Sequence, residues 1–113
     1  MGLKRPALSL RARALGYLSQ REHSRSELRR KLLNVLRRAQ VEGDDDPVPA
    51  VDALLDALSG EGWLSDSRYI ESRLRTRAPR LGARRLAAEL AQQGLKPEGE
   101  AWEQVRASEA ERA

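Results

Sequence analysis

The chain has 113 residues, enough for one modest core or a short array of small modules. It contains no cysteine and a single histidine, His23, which excludes disulfides, thiolate metal sites, cysteine nucleophiles and multi-histidine centres. The net charge of +4 is distributed in blocks: residues 1–40 carry 11 basic and 2 acidic side chains, 41–66 none and 8, 67–96 8 and 2, and 97–113 2 and 5. This alternation of basic and acidic stretches implies two basic surfaces suited to a polyanion or to an acidic protein face. The aromatics are Tyr17, Trp63, Tyr69 and Trp102, too few for a platform that stacks single-stranded bases. No apolar run reaches the roughly 20 residues of a membrane span, and Met1 to Arg13 lacks the apolar stretch of a secretory signal.

Leu, Ala, Arg and Glu dominate, and no segment alternates with period two for long enough to argue a strand. Residues 1–6 read as a loose basic arm. Leu8, Ala14, Leu15 and Leu18 share a stripe that predicts a first helix over 8–20. Ser24-Arg25-Ser26-Glu27 has the spacing of a capping box, and Leu28, Leu32, Val35 and Leu36 continue a second helix from it. The other face of that helix carries Arg29, Arg30, Lys31, Arg37 and Arg38.

Gly43, Asp44, Asp45, Asp46, Pro47 and Pro49 form an acidic loop across 42–49. It lacks the Asp-x-Asp-x-Asp-Gly spacing of a calcium loop, so a solvated turn is the expectation. A third helix over 50–59 would bury Val51, Leu54, Leu55 and Leu58, with Trp63 and Leu64 plugging the core behind Gly60 and Gly62. Ser65 or Asp66 caps a fourth helix striped by Tyr69, Ile70 and Leu74, which Pro79 and Gly82 interrupt. A fifth helix over 83–93 buries Leu86 and Leu90 and carries Arg84 and Arg85 at its start. Pro97 then opens a sixth helix with Ala101, Trp102 and Val105, and the tail after Ala107 is expected to fray.

The chain also repeats internally. A shift of 58 places Leu28 on Leu86, Leu32 on Leu90 and Ser24 on Gly82, while a shift of 56 places Ala14 on Ile70 and Leu18 on Leu74. The expected fold is therefore all-α, an elongated tandem of three-helix, helix-turn-helix-like units. The first spans 1–62 and the second 63–113.

No phosphate loop, dinucleotide glycine pattern or hydrolase signature is present, so no catalytic residue, cofactor, metal or small-molecule substrate is expected. His23 reads as a packing and hydrogen-bonding residue at a helix entry, and both tryptophans as core anchors. Arginine pairs bidentately with phosphates and with carboxylates, so Arg25, Arg29, Arg30, Arg84 and Arg85, flanked by Arg37, Arg38, Arg77 and Arg80, form the candidate contact surface. Base readout would need Asn, Gln or Ser beside the arginines, and the second helix supplies Ser26 and Asn34 alone.

Residues 21–32, Arg-Glu-His-Ser-Arg-Ser-Glu-Leu-Arg-Arg-Lys-Leu, resemble the first signature of the RecX family. Gly62-Trp63-Leu64-Ser65-Asp66-Ser67-Arg68-Tyr69 is similar to its second. Gly82-Ala83-Arg84-Arg85-Leu86, Glu89-Leu90 and Gly94-Leu95 are similar to a third, and the resemblance covers about residues 10–105. It implies tandem three-helix repeats and a cytoplasmic, non-enzymatic regulator that binds the groove of the RecA–DNA filament. Such a regulator restrains recombinase, ATPase and coprotease activities in DNA repair and the SOS response, and meets DNA through the filament. Family members usually continue into a third repeat, whereas this sequence carries two. The residues themselves leave open a stand-alone helix-turn-helix DNA-binding protein and a helical adaptor for an acidic partner.

Overall fold

A computed structural model describes residues 9–39 and 46–112. The basic arm, the expected helix start at Leu8 and the first half of the acidic loop lie outside the described residues. Six helices are present among them: α1 (Leu10–Gln20), α2 (Arg25–Ala39), α3 (Val48–Gly60), α4 (Asp66–Leu81), α5 (Ala83–Ala91) and α6 (Glu100–Arg112). They divide into two compact units, and the chain passes from the first to the second between Leu64 and Ser65. That point lies two residues past the expected boundary, because Leu64 is buried in the first unit's core.

Each unit is built by the same local chemistry. Ser9 caps α1 by accepting from the backbone N–H of Ala12, and Ser65 caps α4 by accepting from that of Arg68. These serines are related by the 56-residue shift, as are the helix starts Leu10 and Asp66. The second helices, α2 and α5, start at positions related by the 58-residue shift. The paired leucines Leu28 and Leu86, and Leu32 and Leu90, have no exposed surface.

In the first unit α2 packs on α1 and α3, and Ala14, Leu28, Leu32, Leu33, Val51, Leu55, Leu58 and Leu64 form the core. In the second, α4, α5 and α6 pack on one another around Tyr69, Leu74, Leu86 and Leu90, with Trp102 half-buried against them. Each fully buried leucine contributes about 1.5–3 kcal/mol against exposure, so these clusters hold the units together.

Several expectations are corrected. Pro79 does not interrupt α4, which runs on to Leu81. Leu74 is buried and Ala78 packs on the same core, so burial on the turn before Pro79 holds the helix despite the missing donor. The sixth helix starts at Glu100 and not at Pro97, because Gly99 has a positive φ of 94° that a helix interior cannot contain. It extends beyond Ala107 to Arg112, since Glu109 is tied to the start of α5. Trp63 is not a core plug. It is the one large hydrophobic side chain exposed among the described residues, at 53%.

Candidate partner-binding surface

The corner between α1 and α2 is built from the 21–32 signature. Ser24 Oγ accepts from the Glu27 backbone N–H at 3.0 Å, which fixes the start of α2. The Glu27 carboxylate accepts from both terminal guanidinium nitrogens of Arg21, at 3.0 and 2.5 Å. Burial pushes the Glu27 carboxyl up, but the hydrogen bonds and charge of Arg21, with the charge of Lys31, outweigh it and leave the group below its ordinary value.

His23 is fully buried, with Nδ1 3.0 Å from the Arg21 carbonyl and Nε2 2.8 Å from Lys31 Nζ. A carbonyl can only accept, so Nδ1 carries the proton and the Nε2 lone pair accepts from the Lys31 ammonium. The Lys31 ammonium also lies 5.0 Å from the centre of the Tyr17 ring. Burial lowers the imidazole pKa, and the charges of Arg21 and Lys31 lower it further. The Arg21 carbonyl and Glu27 oppose this in part. The histidine is thus a neutral bracket between helices.

The candidate arginines fall into two groups. Arg25 Nη2 donates to Asp56 Oδ1 at 2.6 Å, and Arg29 Nε donates to Asp52 Oδ1 at 2.9 Å. Both bonds run from α2 to α3 inside the first unit. The hydrogen bond and charge of Asp52 raise the Arg29 pKa and keep the guanidinium charged. Arg77 joins the same class in the second unit, where the Glu89 carboxylate takes Arg73 at 2.7 Å and Arg77 at 3.7 Å, linking α4 to α5. Arg73 also lies 5.6 Å from the Tyr69 ring centre, and the Tyr69 hydroxyl accepts from Gln93 at 2.9 Å.

The remaining candidates, Arg30, Arg37, Arg38, Arg80, Arg84 and Arg85, are exposed and make no ion pair among the described residues. Arg30 and Arg37 line a shallow groove of about 350 Å³ along α2 with Ser26, Arg29, Leu33 and Asn34. Arg84 and Arg85 stand in the first turn of α5, which contains no acidic residue. Cations there oppose the helix dipole, so folding alone does not favour them. Arg84 lines a second groove, of about 420 Å³, with Trp102, Arg106 and Glu109.

Sequence reasoning missed the clamping partners. Asp52 and Asp56 lie on α3 at i and i+4, facing Arg25 and Arg29 at the same spacing on α2, and that matched spacing was the available signal. It also missed Arg11, which reaches Glu61 at the end of α3 through both terminal guanidinium nitrogens, one at 3.0 Å.

Two three-helix units with arginines exposed on their helices make the described residues an all-helical protein. No helix among the described residues is long and apolar enough to cross a membrane. The model for the second three-helix domain of RecX matches residues 65–98. The regulatory protein RecX of Ralstonia pickettii is 50% identical over 115 residues, which cover all of this chain and 67% of that protein. Those of Leptothrix cholodnii and Herbaspirillum seropedicae are 43% and 45% identical, and the chain spans 68% of each. No solved structure gives a significant match. The chain belongs to the RecX family of regulatory proteins.

Proposed function

We propose that this chain binds the RecA–DNA filament and restrains its ATPase, recombinase and coprotease activities, acting in the cytoplasm in DNA repair and SOS control. The filament is the protein partner, and DNA is met through it. The observation that supports this most is the sorting of the arginines. Arg30, Arg37, Arg38, Arg80, Arg84 and Arg85 are exposed without an ion pair among the described residues, while their neighbours Arg25, Arg29 and Arg77 are engaged within the units. Arginines that folding does not use, two of them against a helix dipole, are suited to carboxylates or phosphates on a partner. The chain acts here as a binding protein and supplies no chemistry.

One observation favours a second reading. Ser26 and Asn34 share the α2 groove with Arg30 and Arg37, a combination that can contact base edges as well as phosphates. A stand-alone DNA-binding protein would bind DNA without RecA, with a steep salt dependence. The test is the ATPase of RecA on single-stranded DNA, titrated with this chain, beside a DNA-binding titration without RecA. Inhibition well below one chain per RecA supports the filament reading. Tight DNA binding with no effect on RecA beyond competition for DNA supports the second.

A further inference from the structure

The two guanidinium groups that flank Glu89 are left with unmet hydrogen bonds. Arg73 and Arg77 stand one turn apart on α4, and Glu89 reaches them from α5. The Glu89 Oε1 accepts from Arg73 Nη2 at 2.7 Å, while its Oε2 stays 3.7 Å from Arg77 Nη2, an ion pair too long for a hydrogen bond. The Nε atoms of both arginines are buried, and neither has a hydrogen-bond partner among the described residues. Buried donors on ionised groups are costly to leave unmet, so two of them in one place call for an acceptor from outside these side chains.

Charge and spacing define which acceptor fits. Arg80 lies a further turn along α4, exposed and without an ion pair among the described residues. Residues 73, 77 and 80 recur at i, i+4 and i+7, so they share one stripe of α4 and climb it in steps of about 6 and 4.5 Å. Glu89 is the one carboxylate paired with this stripe among the described residues. Arg73 is held by that carboxylate and by the Tyr69 ring, whereas the Arg77 side chain is 43% exposed and open to approach from solvent. Glu89 also shows what a carboxylate achieves here: its two coplanar oxygens satisfy one guanidinium at hydrogen-bonding distance and not the second. A tetrahedral phosphate directs its oxygens several ways and can accept from guanidinium groups at different heights on the helix.

We propose that Arg73, Arg77 and Arg80 form a phosphate-binding site on the second unit, where ligand oxygens take the donors that Glu89 leaves unmet. Arg77 is its centre and Arg80 its open end, while Arg73 keeps its bond to Glu89 and lends charge. A phosphodiester of a nucleic-acid strand and the phosphate of a small molecule share this chemistry. The site lies within one unit and stands independently of the RecA reading.

The test uses the folded chain with isotope-labelled arginine, following the Nε–H resonances by NMR at constant ionic strength. The probes are inorganic phosphate, pyrophosphate, an abasic phosphodiester oligomer and acetate. The Arg73 and Arg77 Nε–H signals should move saturably with a phosphate probe and stay still with acetate. Arg77→Gln should weaken that binding about tenfold at unchanged helicity and melting temperature. Arg77→Lys, which keeps the charge and loses the planar fork, should weaken it as well. A response to the oligomer assigns the site to a strand, and a response confined to the small phosphates assigns it to a free phosphate; either upholds the proposal. Signals that ignore every phosphate probe would overturn it. So would an equal response to acetate, which would make this a site for a protein's carboxylates, or full phosphate affinity in both Arg77 variants.

Discussion

Replacing Gly82 by alanine tests how the second unit is locked. Gly82 sits between α4 and α5 at φ 81° and ψ 163°, a region that side-chain-bearing residues avoid at a cost of about 1–3 kcal/mol. A Cβ there would also stand 2.8 Å from Glu109 Oε1, the oxygen that accepts from the Ala83 backbone N–H and caps α5 from α6. Displacing Glu109 leaves a buried donor without its acceptor, which costs about 1–3 kcal/mol more. Gly82→Ala should therefore destabilise the second unit by about 3 kcal/mol, close to the whole stability expected of so small a core. Glu109→Ala should cost about 1–2 kcal/mol, and the double variant less than the sum, because the clash disappears while the backbone strain persists. Urea unfolding followed by far-UV circular dichroism, with the half-buried Trp102 reporting on this unit, measures all three. Gly16→Ala is the control: Gly16 lies inside α1 with open space around it, and alanine there should stabilise by about 0.5–1 kcal/mol. A Gly82→Ala chain within about 0.5 kcal/mol of wild type would refute the reasoning.

Three other outcomes follow. The folded His23 has a pKa below its ordinary 6.5, so the unfolded chain binds the proton more readily. Stability is then full above that value and falls as pH drops through it toward the folded pKa, and His23→Gln should flatten this part of a melting-temperature profile. Leu86→Ala removes a fully buried side chain and should destabilise the second unit by about 2–5 kcal/mol in the same urea assay. Arg29→Glu should lower the melting temperature by setting two carboxylates against each other, and Arg29→Glu with Asp52→Arg should recover it without loss of partner binding.

The helical units were legible because their leucines recur at helical spacing and at the two repeat shifts, and all four leucines related by the 58-residue shift are fully buried. The caps at Ser24 and Ser65 were legible because a cap acts within four residues of sequence, whereas Ser9, expected inside α1, is its N-cap. What could not be read depended on contacts between distant segments. Pro79 stays helical because of what packs beside it, and α6 keeps its last turns because Glu109 reaches Gly82 and Ala83. Arg25 and Arg30 look alike in a sequence. They differ because one faces Asp56 across the α2–α3 interface and the other points to solvent. Trp63 looked like a plug because apolar residues after a helix-ending glycine usually turn inward, and here the following leucine does so instead.

If the arginines that folding leaves uncommitted hold the partner, a chain carrying Arg30→Glu, Arg37→Glu and Arg84→Glu loses affinity for RecA filaments. Helicity and melting temperature should be unchanged while filament affinity falls at least about tenfold, as charge reversal at an electrostatic interface does. A folded triple variant that binds filaments as tightly as wild type would show that these arginines do not hold the partner.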